Sequence, residues 1–466
     1  MPEDDAEALT VLECVLPDER IYRGRSHREQ YASDASIHPA SLPTVVAVPH
    51  STEEISAILE RANERGVPVT PWAGGSSLEG NPIPIEGGIA LDVTELDHVE
   101  VRVDDLQVVV GPGVIYDELN EGLARFGLRF PPGISSGDVA TIGGMIANNA
   151  SGFNAVRYGV TRRHVRRLEV VLPDGRIIEC GRDVVKTAAG YSLKDLFVGS
   201  EGTLGVITEA TLGLAAVPAE RYAALATFPN RQAASKAVTD IMTSGIIPGA
   251  IEFMDELTIR MVNAYTDIGL EETPTLLIEL HGNEGGLEED VPFTRSICKE
   301  CGATDWWAAG RERSEKVWTA RREALPSYRA YRDELKPVVL GDVVVPISKY
   351  PDLVSGMERL AHDFDLLVPT VGHAGDGNLH FTPLVDTDDP DARERGLIFG
   401  DRVAELTLEL GGSVTGEHGI GIGKRKFMEA EHGAALDVMR AIKRAIDPNG
   451  IMNPGKVLPD VDGDPP

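Results

Sequence analysis

Apolar and polar positions change over in short blocks along this chain, and the block lengths predict the elements. Thr44-Val45-Val46-Ala47-Val48 reads as a short buried strand. Ser51-Thr52-Glu53-Glu54 then opens a helix reaching Arg65, because a serine with a glutamate three residues on is a capping-box start. Val67-Pro68-Val69-Thr70, Ile89-Ala90-Leu91-Asp92 and Leu106 to Gly113 are further strands, with Tyr116 to Phe126 helical. Mixed α/β structure is therefore expected from about residue 40 to 215. After Pro218 the blocks lengthen. Ala223 to Phe228, Ile251 to Met254, Thr275 to His281, Asp305-Trp306 and Gly341 to Pro346 read as strands, Gln232 to Thr243 as a helix, which together predict an α+β second domain. Pro17, Pro43, Pro131-Pro132 and Pro218 punctuate the pattern. The expected division is a polar lead-in over 1–40 with a helix near Glu19 to Gln30, one domain over 41–218, a second over 219–458, and a disordered tail over 459–466.

Composition narrows the function classes. A chain of 466 residues exceeds what one hydrophobic core supports. The formal charge is −30, with 33 arginines against only 11 lysines. The acidic residues are dispersed, so the expectation is a self-repelling, halophile-type surface. Nucleic-acid binding is disfavoured, because phosphates call for clustered Lys and Arg. Arg162, Arg163, Arg166 and Arg167 form the one basic cluster, read as a local loop or cofactor-edge feature. Cys14, Cys180, Cys298 and Cys301 are too few for a disulfide framework. Cys298-x-x-Cys301 is half of a zinc spacing with no second pair, and reads as two reduced thiols near a helix end. The N-terminus lacks the features of a signal peptide, and no apolar run approaches the ~20 residues of a membrane span. A cytoplasmic protein is expected, at most peripheral to the inner face of a membrane, with a homodimer left open.

Two glycine-rich loops in the first domain suggest a phosphate cradle. Pro71-Trp72-Ala73-Gly74-Gly75-Ser76-Ser77 exposes successive backbone N–H groups and adds hydroxyl donors. Pro131-Pro132-Gly133-Ile134-Ser135-Ser136-Gly137 leads into Thr141 to Gly152, where small residues let a helix N-terminus press on a polyanion. Each alone is more often plain turn chemistry. Neither has the Gly-x-Gly-x-x-Gly spacing of a Rossmann site. Together, about 60 positions apart, they point to a dinucleotide.

Near the C-terminus, Gly372-His373-Ala374-Gly375-Asp376-Gly377-Asn378-Leu379-His380 and Gly416-Glu417-His418-Gly419-Ile420-Gly421 concentrate three of the chain's eleven histidines. Two imidazoles and a carboxylate suit a divalent cation, Zn²⁺ foremost, with Mn²⁺, Fe²⁺ or Co²⁺ taking similar donors. The residues alone leave a second reading nearly equal, in which the histidines are structural and Glu417-His418 is a surface turn.

Pro71 to Gly80, Pro132 to Gly152, Arg157-Tyr158-Gly159, Ala188-Ala189-Gly190-Tyr191, Leu196 to Gly205 and the closing Met452-Asn453-Pro454-Gly455-Lys456 resemble the vanillyl-alcohol-oxidase superfamily. Within it the chain is similar to the FAD-linked D-2-hydroxyacid dehydrogenases: cytochrome-type D-lactate dehydrogenases, the glycolate oxidase flavin subunit and D-2-hydroxyglutarate dehydrogenase. The resemblance runs from about residue 25 to Leu458. It implies an α+β, two-domain flavoprotein, with a PCMH-type FAD-binding domain and an α+β C-terminal substrate (cap) domain. It assigns to FAD Pro71, Ala73, Gly74, Gly75, Ser76, Ser77, Leu78 and Gly80 of the first loop. From the second it assigns Pro132, Gly133, Ser136, Ile142, Gly143, Gly144, Ala147, Asn148, Ser151 and Gly152. Glu201, Gly205, Val206, Ile207 and Asn453 complete the set. Ser76 stands where some members carry the histidine that attaches FAD covalently, which implies non-covalent FAD.

The same resemblance makes His373, His380 and Glu417 the metal ligands, His418 the catalytic base, and Arg321 the partner of the substrate carboxylate. Asn378 is expected either to shape the turn or to touch the substrate, the two readings being equal, and Thr382 is taken as substrate-binding. Asp376 is expected as a turn-former rather than a ligand, and Lys424, Arg425 and Lys426 as a solvated helix start in preference to neutralising FAD phosphates. Leu325 and Leu340 stand where hydroxyglutarate enzymes place a threonine and a lysine, which favours a small monocarboxylate such as D-lactate or glycolate. No Cys-rich iron–sulfur motif is present, so electrons should leave to an external acceptor: a quinone, a cytochrome or an electron-transfer protein. A zinc hydrolase and a flavin carrier without turnover are the readings from other classes.

Overall fold

The computed structural model describes residues 3–309 and 318–460. The chain forms two compact units. The first contains 3–151, 160–217 and 417–460; the second contains 152–159 and the described part of 218–416.

The first unit holds two sheets. One runs Ile21–Tyr22, Val45–Ala47, Ile89–Asp92, Val69–Trp72, with the last three strands parallel. Helix Thr52–Arg65 connects Val45–Ala47 to Val69–Trp72; Ser51 Oγ accepts from Glu54 N at 3.2 Å, and Gly66 ends the helix at φ +64°. The capping signal in the sequence is thus realised. The second sheet is antiparallel, in the order Val99–Arg102, Gln107–Val110, Val206–Gly213, Val165–Val171, Ile177–Gly181.

Two expectations for the lead-in are corrected. Glu3–Glu13 is a helix, and Ala8, Val11 and Leu12 at i, i+3 and i+4 bury one face in the core beside Val45, Ile55 and Leu59. The helix expected from Glu19 to Gln30 is broken, because Ile21 and Tyr22 pair as a strand with Ala47 and Val46. Helix Arg25–Arg28 follows Gly24. The closing motif returns to the first sheet: Val69 N donates to Ile451 O at 2.8 Å, and Asn453 N to Val69 O at 2.8 Å. The compact unit therefore takes in residues from 417 onward, whereas the sequence division kept them in the second domain. Residues 461–466 of the expected tail lie outside the described residues.

The second unit is built on a seven-stranded antiparallel sheet: Asp305–Ala309, Glu220–Thr227, Thr275–Gly282, Ala250–Met254, Thr370–His373, Asn378–Phe381, Gly341–Val344. Helices Arg231–Thr243, Tyr350–Asp363 and Pro390–Glu409 contribute Val238, Tyr350, Leu353, Phe399 and Val403 to its main core. Cys298 is buried in helix Glu284–Glu300, and burial pushes its thiol up to about 12. All four cysteines are free, as expected of reduced thiols.

Candidate active site

The two histidines of the Gly372–His380 segment sit on adjacent strands. Thr370–His373 and Asn378–Phe381 form a hairpin whose turn closes at Gly377, φ +85°. Asp376 Oδ1 accepts from Asn378 N at 3.3 Å, which fits its expected role in the turn. The rings of His373 and His380 lie 5.3 Å apart and at 88° to one another, with a ring nitrogen of each within 4.8 Å of the other.

Each ring has a buried carboxylate behind it. Glu252 stands opposite His373 in register and is fully buried. It faces His373 Nδ1 at 2.8 Å and accepts from Arg321 Nε at 2.7 Å. In the tautomer this contact favours, Nδ1–H donates to the carboxylate and Nε2 carries the lone pair, the arrangement that orients histidine ligands at metals. Asp342, also fully buried, lies 3.6 Å from His380 Nδ1. It accepts from Asn378 Nδ2 at 2.6 Å, Thr415 Oγ1 at 2.8 Å and Gly416 N at 2.8 Å. The two-imidazole donor set, backed by two carboxylates, fits a divalent cation better than it fits structural histidines.

Arg321 lies in the helical stretch 318–322 and is 8% exposed. Its ion pair with Glu252 engages Nε and leaves Nη1 and Nη2 outside that bond. Asn378 Oδ1 is buried with no hydrogen-bond partner among the described residues, a state that costs about 1–3 kcal/mol unless a ligand supplies a donor. Tyr350 Oη shares that condition, and burial together with Glu252 holds its phenol well above the usual range. Thr382 is buried one residue beyond the hairpin, with its N–H on Pro369 O at 3.2 Å.

In the first unit the segments assigned to FAD converge. A Cβ on Gly74 would fall 2.3 Å from Val139 O, so the first loop lies directly on the second. Glu201 N donates to Ala147 O at 2.8 Å, and a Cβ on Gly202 would meet Pro71 at 3.1 Å. Asn453 Nδ2 donates to Glu201 O at 2.7 Å and to Asn81 O at 2.9 Å. Thr141 caps helix Ile142–Asn148, as its position before a small-residue run suggests. A backbone cradle too tight for side chains fits a flat polyanion such as FAD. Of the assigned residues, Gly152 belongs to the second unit.

Glu417 and His418 hang from this same cradle. Asn148 Nδ2 donates to Glu417 O at 2.7 Å. Ile420 N and Gly421 N donate to the Glu201 carboxylate at 2.7 and 2.8 Å. Burial outweighs those donors and pushes the Glu201 carboxyl above its usual range. The His418 ring lies 3.9 Å from the Glu417 carboxylate. Lys424 corrects the sequence expectation of a solvated helix start: it is 8% exposed and pairs with buried Glu79 at 3.1 Å. Burial works against ionisation of Glu79, but Lys424, His38 and His418 hold its carboxyl below the usual range. The basic cluster is largely consumed internally. Arg167 pairs with Glu179, Asp183 and Glu209, and Arg162 donates to Asp195 O and Val198 O.

Glu252, Asp342, Tyr350 and Asn81 were missed from sequence. The signal available was an acid inside an apolar strand, in Ile251-Glu252-Phe253-Met254 and Gly341-Asp342-Val343-Val344, since unpaired acids are seldom fully buried.

A cradle for a dinucleotide in one unit, and paired histidines beside a buried arginine in the other, define a flavin-dependent oxidoreductase. Residues 43–181 match the family described as FAD binding domain, and 217–457 that described as FAD linked oxidases, C-terminal domain. The chain belongs to the FAD-linked oxidase family. It is 40% identical over 450 residues to the probable mitochondrial D-lactate dehydrogenase of Danio rerio, covering 95% of this chain and 90% of that protein. It is 38% identical to the mitochondrial D-lactate dehydrogenase [cytochrome] of Arabidopsis thaliana, over 97% of this chain and 80% of that one. Glycolate oxidase subunit GlcD of Bacillus subtilis (strain 168) is 39% identical, over 92% of each chain. Among solved structures, p-cresol methylhydroxylase with substrate bound has a TM-score of 0.83 at 16% identity, covering 100% of this chain and 98% of that one, a likeness of fold.

Proposed function

We propose that this protein oxidises a small D-2-hydroxy acid, D-lactate foremost, to the 2-oxo acid, as an FAD-dependent oxidoreductase acting on CH–OH groups. The observation that carries the site assignment is the buried Arg321–Glu252–His373 chain, which joins a carboxylate-binding residue to a preset metal ligand. FAD, held non-covalently by the glycine loops, supplies a hydride acceptor when bound. A divalent cation on His373, His380 and Glu417, Zn²⁺ foremost, supplies a Lewis acid that lowers the pKa of a bound hydroxyl. The Arg321 guanidinium binds the substrate carboxylate. Asn378 Oδ1 is an acceptor for a substrate hydroxyl or a water. His418 takes the hydroxyl proton near neutral pH. Its turn is fixed by Asn148 and Glu201, both of the FAD cradle, which supports a base set beside the flavin.

Leu340 is buried and Leu325 partly so, and neither can hold a second carboxylate, which disfavours D-2-hydroxyglutarate. The likeness to GlcD keeps a second reading: the flavin subunit of a glycolate oxidase complex. In either case electrons pass to a separate acceptor. The test is anaerobic bleaching of the purified yellow protein. D-lactate should bleach it faster than glycolate or D-2-hydroxyglutarate, and L-lactate should not. His418→Ala should keep FAD and lose the bleaching. Full activity in that variant, or a colourless protein with peptidase activity, overturns the assignment.

A further inference from the structure

The segment 184–193, Val184-Val185-Lys186-Thr187-Ala188-Ala189-Gly190-Tyr191-Ser192-Leu193, is exposed at every residue. It contains no acid, although 74 of the 466 residues are Asp or Glu. Twenty large apolar side chains are exposed among the described residues, and five of them, Val184, Val185, Tyr191, Leu193 and Leu196, fall within 13 positions here. Tyr191 is 97% exposed and Val185 81%. Both feet are fixed. Asp183 is paired with Arg102 at 2.9 Å and Arg167 at 3.2 Å, and Arg162 donates to Asp195 O and Val198 O. The segment leaves edge strand Ile177–Gly181 and ends at helix Lys194–Phe197, so it is an anchored loop with an apolar tip.

Its surroundings differ in sign from the rest of the chain. Over 160–196 the basic residues are Arg162, Arg163, Arg166, Arg167, Arg176, Arg182, Lys186 and Lys194, and the acids Glu169, Asp174, Glu179, Asp183 and Asp195. That is +8 − 5 = +3, within a chain of −30. We propose that this loop is a membrane-docking element, which places Val185, Tyr191 and Leu193 in the headgroup region of an anionic bilayer with Lys186 at its surface.

Three physical points favour lipid over a protein partner. Tyr and Lys are the side chains that settle at a lipid–water interface, with apolar stems inward and polar ends outward. A stable protein interface calls for about 800 Å² of matched surface per partner, while a bilayer accepts a few inserted side chains without shape matching. Repulsion between the acidic chain and an anionic surface is screened beyond about 8 Å at physiological salt, so at contact the local charge governs.

The proposal holds whichever 2-hydroxy acid is the substrate, and its test uses none. FAD-loaded protein is sedimented with phosphatidylcholine vesicles and with equimolar phosphatidylcholine–phosphatidylglycerol vesicles, at about 0.15 M salt. Binding is expected to the anionic vesicles. Y191D and the combined V185D/Y191D/L193D variant should lower the partition coefficient by about tenfold or more, with flavin absorbance and melting temperature unchanged. Absence of native binding to anionic vesicles overturns the proposal. So does binding that the triple variant leaves intact, or loop-dependent capture of a protein partner with no affinity for lipid. D-lactate bleaching should be equal in the native protein and the triple variant, which keeps failure here distinct from failure of the proposed reaction.

Discussion

Replacing Glu252 by glutamine probes the histidine pair through the residue that orients it. Its carboxylate has 0% exposure and serves Arg321 Nε at 2.7 Å and His373 Nδ1 at 2.8 Å. A hydrogen bond to an ionised group is worth about 1.5–3 kcal/mol. Glutamine offers one oxygen and no charge; even in the Oε2 place, which reaches both Arg321 Nε and His373 Nδ1, its amide N–H takes the place of the second acceptor, Oε1, at His373. The loss is at least one such bond. It also strips the counter-charge from a cation that is 8% exposed, a break that costs about 3–5 kcal/mol in a buried pair. Destabilisation of roughly 3 kcal/mol is therefore expected for E252Q in urea unfolding of the second unit's transition. Separately, if His373 is the ligand proposed, loss of the carboxylate behind it should weaken metal affinity about 10–100-fold, read by competition with a chromophoric chelator. The double variant E252Q/R321M separates the effects: removing the stranded cation should recover stability, and metal affinity should stay low. If E252Q binds Zn²⁺ within about twofold of the parent, His373 is not held as a ligand by Glu252, and the carboxylate merely neutralises Arg321.

Three further outcomes follow, two from the first unit and one from the second. Gly74→Ala should strip FAD and lower the melting temperature, because its Cβ would lie 2.3 Å from Val139 O; Gly122→Ala, with open space in helix Tyr116–Ala124, should instead add up to about 1 kcal/mol. Lys456 is buried, with Asn453 Oδ1 at 3.1 Å, and burial lowers its amine to about 8. Between that value and the unfolded amine near 10.4, the unfolded chain binds more protons, so this group makes stability rise with pH by up to about 3 kcal/mol. K456M should abolish that rise when denaturant midpoints of the two proteins are compared from about pH 7 to 10; parallel curves would show that the amine titrates normally. Asp342→Asn should release Thr415 and Gly416, seen as faster amide exchange at Gly416 with FAD content unchanged.

What was legible in the sequence was local. Ser51 and Glu54 announced a helix start, and the apolar blocks at Val45 and Ile89 announced strands, because capping and alternation act over a few residues. Ile251-Glu252-Phe253-Met254 shows where that limit lies. Alternation puts Glu252 on the face opposite Ile251 and Phe253, which period-two logic would give to water. In the structure Ala250–Met254 is a central strand with all five residues buried, so the acid had to find Arg321 and His373. Central position in a sheet is a long-range property, and its one local trace here is an acid set among apolar residues. The return of Ile451 and Met452 to the first sheet is another such pairing, joining positions nearly 400 residues apart along the chain. The histidines were visible because His, Glu and Gly are conspicuous residue types, while the carboxylates that orient them looked like ordinary strand positions.

The glycines that frame Glu417 and His418 carry a different meaning in the structure than in the sequence. As turn formers they would imply a pliant loop. Instead each is a close approach. A Cβ on Gly416 would lie 2.2 Å from Asn378 Nδ2, one on Gly419 2.5 Å from Asn148 Oδ1, and one on Gly421 2.0 Å from Glu79 O. Gly419 and Gly421 also have φ of +83° and +47°, where any other residue is strained. The backbone on both sides of the Glu417-His418 pair is thus gripped: Gly416 by Asp342, Ile420 and Gly421 by Glu201. The proposed ligand and base on such a segment would lose little further freedom on binding substrate, which is where preorganisation lowers a barrier. It follows that Gly419→Ala should impair the reaction while leaving the chemistry of Glu417 and His418 untouched. Bleaching by D-lactate should slow at least about tenfold with FAD and metal content retained, whereas a rate equal to the parent would mean that the turn is merely a linker.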